Sequence, residues 1–187
     1  MKTLLVGKKK QYTYEDYLTI PDEKRYELID GELSMVPAPN TFHQDVLGNL
    51  EFILRKFVKE RGLGKIFSAP TDVILSDNTV VQPDILFISK ERKKIIEKRG
   101  IFGSPDIAIE IVSPSTFVMD TITKKEIYEK FKVKENWLVF PEERVIEVFI
   151  LEEGNHILYS HAAEKGKINS KLLEGFEVDL KDIFEET

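Results

Sequence analysis

The chain has no cysteine, which excludes disulfides, thiolate metal sites and cysteine nucleophiles. Its three histidines, His43, His156 and His161, are too scattered for a zinc site. Any metal must therefore be held mainly by oxygen, the ligand chemistry of Mg²⁺ or Mn²⁺. No stretch approaches the roughly 18 apolar residues of a membrane-spanning helix, so no membrane association is expected. The N-terminal apolar run is short and is followed, not preceded, by Lys8, Lys9 and Lys10. That order is wrong for a secretory leader, and a cytoplasmic location is expected. An excess of positive charge is missing too: 27 Lys and Arg face 33 Asp and Glu, for a net charge of −6. This argues against a broad nucleic-acid-binding surface but leaves room for a local basic groove.

What remains is ordinary soluble composition. The 187 residues, 42% apolar and 32% charged, are expected to form one domain over 1–187 with a sizeable core. Abundant Lys and Glu with few Asn and Gln lean toward a thermophilic source. No repeat, low-complexity tract or linker is apparent.

The expected elements mix helices and strands. Residues 13–18 read as a short capped helix. Asp30-Gly31 between two alternating runs is a hairpin signal, because both central turn residues need positive φ. A long helix is expected over about 41–61, with Val46, Leu47, Leu50, Ile53, Leu54, Phe57 and Val58 on one face. Thr41 and Gln44 have the form of a capping box, and Gly62 and Gly64 stop the helix. Strand-like runs follow at 66–75, 80–89 and 107–112, then a helix from about 120 or 121 to 132. Three further runs, 136–140, 145–151 and 156–160, end the pattern. Residues 90–99 carry six positive and two negative charges. They either flank a site or form a solvated face.

Polar residues interrupt this pattern where apolar ones are expected. Asp84 stands early in the run Val80-Val81-Gln82-Pro83-Asp84-Ile85-Leu86-Phe87, and Glu110 stands within Ile107-Ala108-Ile109-Glu110-Ile111-Val112. An unpaired ionised carboxylate is too costly to bury, so two on consecutive strands suggest a shared divalent cation; structural ion pairs are the bland alternative. Strand alternation puts Glu110 on one face with Ala108 and Val112, and the small Ala108 leaves room for an ion. Asp120 and Lys124 lie one helical turn apart on one side. Asp120 alone also suits an N-cap; a lysine in the first turn then opposes the helix macrodipole, which favours a functional reason for it. Tyr128 and Phe131 extend that side as core or pocket wall. Lys125 is the rival lysine, rotated about 100° away.

With these motifs in hand, the chain resembles the Uma2 family of proposed restriction endonucleases, within the PD-(D/E)xK nuclease superfamily. The resemblance rests on Tyr26-Glu27-Leu28-Ile29-Asp30-Gly31-Glu32-Leu33, Gln82-Pro83-Asp84 and Ile109-Glu110-Ile111-Val112-Ser113-Pro114-Ser115-Thr116. Asp120, Lys124, Tyr128 and Asn136-Trp137-Leu138-Val139 continue it, so that it covers about 11–151. It implies an α/β fold with a restriction-endonuclease-like core, a central mixed β-sheet flanked by helices, and strands within 145–161 completing the sheet. It further implies Asp84 and Glu110 as Mg²⁺ ligands, joined by the Ile111 backbone carbonyl, with Mn²⁺ as a substitute. Lys124 would orient water or stabilise charge on phosphorus-bound oxygen, and Glu27 would assist a metal through water. Asp120 would support Lys124, His43 would touch a phosphate, and Tyr128 would support the site. The superfamily's usual lysine, two residues after the second acid, is replaced by Val112; in Uma2-like chains it moves to the following helix, matching Lys124. Phe117-Val118-Met119 stands where relatives carry arginines, and Phe140 where an aspartate is common. Trp137 is expected in the core, and His156 and His161 receive no role.

The leading expectation is a metal-dependent endonuclease cutting DNA to leave a 5′-phosphate, acting as a homodimer. The alternatives are a catalytically inert nuclease-fold module that binds nucleic acid or a protein, and a phosphohydrolase acting on a small phosphate ester.

Overall fold

The computed structural model describes residues 10–21 and 24–185; the N-terminal run weighed as a leader lies almost wholly outside them. In chain order the elements are α1 (Tyr14–Tyr17), β1 (Tyr26–Ile29), β2 (Glu32–Met35), α2 (Thr41–Arg61), β3 (Gly64–Ser68), β4 (Val73–Ser76), β5 (Thr79–Val81) and β6 (Ile85–Ser89). A 3₁₀ segment (Lys90–Ile95), β7 (Ile101–Phe102), β8 (Ile107–Ile111), a π-helical segment (Met119–Lys124) and α3 (Lys125–Lys130) follow. The chain ends with β9 (Glu135–Phe140), β10 (Val145–Glu152), β11 (Asn155–Ala163), β12 (Lys167–Asn169), β13 (Glu177–Asp179) and α4 (Lys181–Phe184).

The central sheet has the order β11-β10-β9-β8-β6-β3. Its β8–β9 pair is parallel and its other neighbours are antiparallel. Along β8, side chains alternate between two layers. Ile107, Ile109 and Ile111 join Val46, Leu50, Leu54 and Val58 of α2 in one core. Ala108 faces the other way, into a second core with Leu86, Ile88, Ile127 and Tyr128. That second core includes Val73, Val81 and Ile101 from a five-stranded sheet ordered β2-β1-β5-β4-β7. The result is an α/β fold in which helices and a smaller sheet cover a central mixed sheet. No helix among the described residues is long and apolar enough to cross a membrane.

Several local expectations appear as written. Thr13 and Asp16 form a capping box on α1, and Asp30 and Gly31 turn the β1–β2 hairpin with φ of 44° and 84°. Gly62 closes α2 in the left-handed region, and Trp137 is fully buried.

Other boundaries moved, each for a local reason. The 66–75 run breaks into β3 and β4 around Pro70, and the 80–89 run breaks into β5 and β6 at Gln82-Pro83-Asp84. Proline has no N–H to give a ladder. Asn40, rather than Thr41, caps α2 by accepting the His43 backbone N–H at 2.8 Å. The helix expected from 120 begins earlier, since the Asp120 N–H already donates to the Thr116 carbonyl at 2.8 Å. Asp120 is therefore not an N-cap, and the macrodipole argument about Lys124 in a first turn does not apply. The basic residues of the 3₁₀ segment follow β6, whereas Asp84 precedes it, so they sit at the far end of that strand from Asp84.

Residues 164–185 add structure the sequence pattern did not suggest. Ile168, Leu173, Phe176, Val178, Ile183 and Phe184 seal the α2 core. Buried Glu135 fastens this segment by accepting the backbone N–H groups of Lys171 at 3.1 Å and Leu172 at 3.0 Å. A buried side chain on α2 should be costly to truncate and an exposed one cheap. Leu54→Ala is expected to lose about 2–5 kcal/mol in denaturant unfolding, whereas Phe52→Ala, at a position 69% exposed, should stay within about 0.5 kcal/mol of wild type.

Candidate active site

The break at Pro83 is what sets the site. It frees Asp84 from the ladder just before β6, which pairs with β8 through Ile85↔Ile109 and Leu86↔Ala108. Continuing that register by one residue brings Asp84 opposite Glu110. Asp84 Oδ2 accepts the Ile111 backbone N–H at 2.7 Å, so the carboxylate takes the place of a ladder partner at the strand end. Glu110 lies on the Ala108 side of the sheet, as alternation requires. The space expected beside it for an ion is taken by protein groups: Lys124 Nζ at 3.1 Å from Oε2 and the Tyr128 hydroxyl, which donates a short hydrogen bond to Oε1.

Lys124 is the centre of the cluster. Its ammonium also lies 2.9 Å from Glu27 Oε1 and 3.6 Å from Asp120 Oδ1. All four of these side chains are at least nine-tenths buried. Lys125 points elsewhere, with its Nζ 3.4 Å from the centre of the Phe149 ring. The π-helical segment carries both Asp120 and Lys124, and such wide turns recur at functional positions. The same Glu27 Oε1 also accepts the Gln82 backbone N–H at 2.7 Å. Glu27 is thus a buried member of the cluster, not an exposed hairpin carboxylate.

His43, on the first turn of α2, sits with Nε2 3.4 Å from Asp84 Oδ2. Its Nδ1 is buried without a hydrogen-bond partner. A cleft of about 330 Å³ opens over Asp84, Glu110, Asp120, Lys124 and His43. The Ser113, Ser115 and Thr116 side of it comes from the turn after β8, and Pro37 to Asn40 forms the opposite rim. The structure therefore brings together all of Asp84, Glu110, Lys124, Glu27, Asp120, His43 and Tyr128. His156 lies apart, with Nε2 2.8 Å from the Val133 carbonyl oxygen. Arg25 and Gln82 also line the cleft and were not singled out from sequence; the Gln82-Pro83-Asp84 motif was the available signal.

Burial, together with the charges gathered around Lys124, shifts the protonation of the group. Burial pushes the Glu110 carboxyl well above its ordinary range, with Lys124 pulling down and Asp120, Asp84 and Glu27 pushing up. Burial likewise raises Asp120 to about 6. Burial pulls on Lys124 in the opposite direction, but the surrounding carboxylates win and hold it firmly protonated. Burial and Glu110 together keep the Tyr128 hydroxyl protonated, consistent with its role as donor. For His43, burial favours the neutral ring, yet Asp84, Asp120 and the nearby Ile111 carbonyl outweigh it and raise its pKa.

Among the described residues, no three His, Asp or Glu side chains already stand at ligating separations. The chemistry of the donors nonetheless fits a hard divalent cation. They are all oxygen, and four carboxyl groups share one ammonium and one imidazole. Burial is the main cause of the raised Glu110 and Asp120 values, with the neighbouring carboxylates adding to it, and a dication would favour their ionised forms.

Comparison with known proteins gives this geometry a family. The sequence profile described as "Uma2: Putative restriction endonuclease" matches residues 14–181. The chain belongs to the Uma2 family. The match runs 30 residues past the limit of 151 expected from the motifs, into α4, which packs on the α2 core. The Uma2 chain is also similar to the crystal structure of "a putative nuclease belonging to DUF820" from Anabaena variabilis, with a TM-score of 0.76 and 20% identity over 92% of this chain and 97% of that one. The two share a fold. No curated protein matches the chain.

The Asp120 carboxyl ionises less readily folded than unfolded, so its contribution to stability is complete below pH 3.8 and is lost as pH rises through about 6. The gap corresponds to roughly 3 kcal/mol. Asp120→Asn should therefore stabilise the metal-free protein at pH 8 by about 1–3 kcal/mol in urea unfolding and flatten the decline between pH 4 and 7. Equal or lower stability at pH 8 would contradict the raised pKa of buried Asp120.

Proposed function

We propose that this chain is a metal-dependent endonuclease that hydrolyses phosphodiester bonds in DNA. The observation that carries the reading is the buried convergence of Glu27, Glu110 and Asp120 on the Lys124 ammonium, beside Asp84 at the mouth of an open cleft. Membership of a family described as putative restriction endonucleases supports it. Asp84, Glu110 and the Ile111 backbone carbonyl would hold Mg²⁺, with Mn²⁺ as a substitute. When bound, the ion supplies Lewis-acid charge to the scissile phosphate and acidifies water. The protein does the rest. Tyr128 fixes the rotamer of Glu110 through its hydroxyl, and Asp120 and Glu27 aim the Lys124 ammonium. Lys124 would orient the attacking water or stabilise the charge that builds on the phosphoryl oxygens. His43 would donate to a non-bridging phosphate oxygen. A water oxygen bonds to phosphorus as the P–O3′ bond breaks, leaving a 5′-phosphate and a 3′-hydroxyl. The same reading takes residues 1–187 as one nuclease-like domain. It expects two copies to pair when both strands are cut.

An inert nuclease-fold module that binds nucleic acid or a protein is the second reading. It is favoured by Phe117 and Val118, 50% and 63% exposed, where a phosphate-contacting arginine would be expected. The two readings separate in a supercoiled-plasmid assay with Mg²⁺. The nuclease reading expects wild type to nick or linearise the plasmid and Asp84→Ala or Glu110→Ala to fall below about 1% of that rate. Lys124→Ala should lose on the order of 10²-fold in rate, while Lys125→Ala stays near wild type. Equal activity in wild type and both acid variants would refute the assignment, and an inactive wild type that still binds DNA would favour the inert module.

A further inference from the structure

A second cavity, of about 540 Å³, adjoins the carboxylate cleft and shares Arg25 and Gln82 with it as a common wall. Its floor is a polar network. Asp72 Oδ1 accepts from the Tyr17 hydroxyl at 2.9 Å and from Gln82 Nε2 at 2.8 Å. Gln82 Oε1 accepts from Arg25 Nε at 3.1 Å and Nη2 at 3.0 Å. Lys24, Lys98 and Arg99 also line the cavity. With Arg25 they give four cationic side chains against Asp72 and Glu97 among its described lining residues, in a chain whose net charge is −6.

We propose that this cavity is a subsite for one nucleotide of the strand being cut, next to the scissile phosphate. The proposal rests on the nuclease reading above and names where its substrate continues. Four features favour a nucleotide over another occupant. The volume is that of a small-ligand pocket, which runs to roughly 300–1,000 Å³. The rim is cationic, and guanidinium groups such as Arg25 and Arg99 suit phosphate oxygens. The floor offers what a base edge needs: Asp72 uses only one carboxylate oxygen in the network, leaving the other to accept from an exocyclic amino group. The rings of Tyr17 and Phe67 on the wall provide stacking surface.

Gln82 connects this subsite to the chemistry. Its side chain belongs to the cavity floor, its backbone N–H holds Glu27, and Asp84 lies two residues further along the chain. A base seated on Asp72 and Gln82 thereby fixes the strand relative to the carboxylate cluster. Gln82 and Asp72 act here as base-contacting residues that set base preference.

The test uses the full chain in EDTA, so that nothing is cleaved, with duplex oligonucleotides carrying 2-aminopurine at successive positions. Anisotropy reads affinity, and 2-aminopurine fluorescence reads a base leaving the stack. Wild type should bind and give enhanced fluorescence at one position. Lys98→Ala/Arg99→Ala, both exposed residues, should bind about tenfold more weakly with a salt slope smaller by about 2, and Asp72→Asn should change which base gives the tightest binding. Wild-type binding with affinity, salt slope and fluorescence all unmoved by the double variant overturns the subsite and leaves the nuclease reading standing. A wild type that neither binds the duplexes nor cuts plasmid with Mg²⁺ overturns both. Binding of a free deoxynucleoside monophosphate without any duplex binding overturns the strand subsite in favour of a small phosphate ester.

Discussion

One buried ammonium, that of Lys124, makes the centre of this molecule possible. Glu27 comes from a hairpin in the smaller sheet, Glu110 from the middle of the central sheet, and Asp120 from the helical segment that crosses above it. None of these carboxylates could be buried alone without a cost of several kcal/mol, and Lys124 lies within 4 Å of all three. Without the lysine, three carboxylates from separate elements would face one another with no ammonium between them. The balance is nevertheless incomplete, because the acids outnumber the bases. Buried carboxylates with raised pKa values beside a cleft mark a candidate functional site, and structural ion-pair networks perturb pKa values as well.

The backbone creates that convergence with two departures from regular structure. Pro83 interrupts a strand so that Asp84 turns into the end of the β6–β8 ladder and accepts the Ile111 N–H. The π-helical segment lets two polar side chains a turn apart face the sheet together, while Lys125 swings out to Phe149. Regular elements supply the rigidity: α2 and the C-terminal residues seal the opposite face of the sheet with a largely apolar core, in which buried Glu135 is satisfied by Trp137 and backbone N–H groups.

Much of this was legible in the sequence because burial and charge conflict there. Asp84 and Glu110 stand out only against apolar neighbours, and the apolar stripe of α2 and the Asp30-Gly31 turn are strong local signals. Element ends were less legible. Asn40 takes the place of Thr41 as a cap through its own bond to the His43 N–H, and the helix carrying Asp120 starts near Thr116, because neighbouring cap-forming residues compete on nearly equal local terms. Residues 164–185 carried too short an apolar period to announce their part in the core. Arg25 and Asp72 were invisible as members of one network, since they meet only through the Gln82 side chain, and links across such distances along the chain leave no local pattern. Glu27 illustrates the same limit from the other side: its motif was visible, but its burial against Lys124 depends on the packing of two sheets.

Whether these acids gather for a divalent ion is read from anomalous diffraction of a crystal soaked in Mn²⁺. The expected result is a single strong peak coordinated by Asp84 and Glu110, with Lys124 displaced from its contact with Glu110. An empty cleft at saturating Mn²⁺, with the Lys124–Glu110 pair intact, would contradict it.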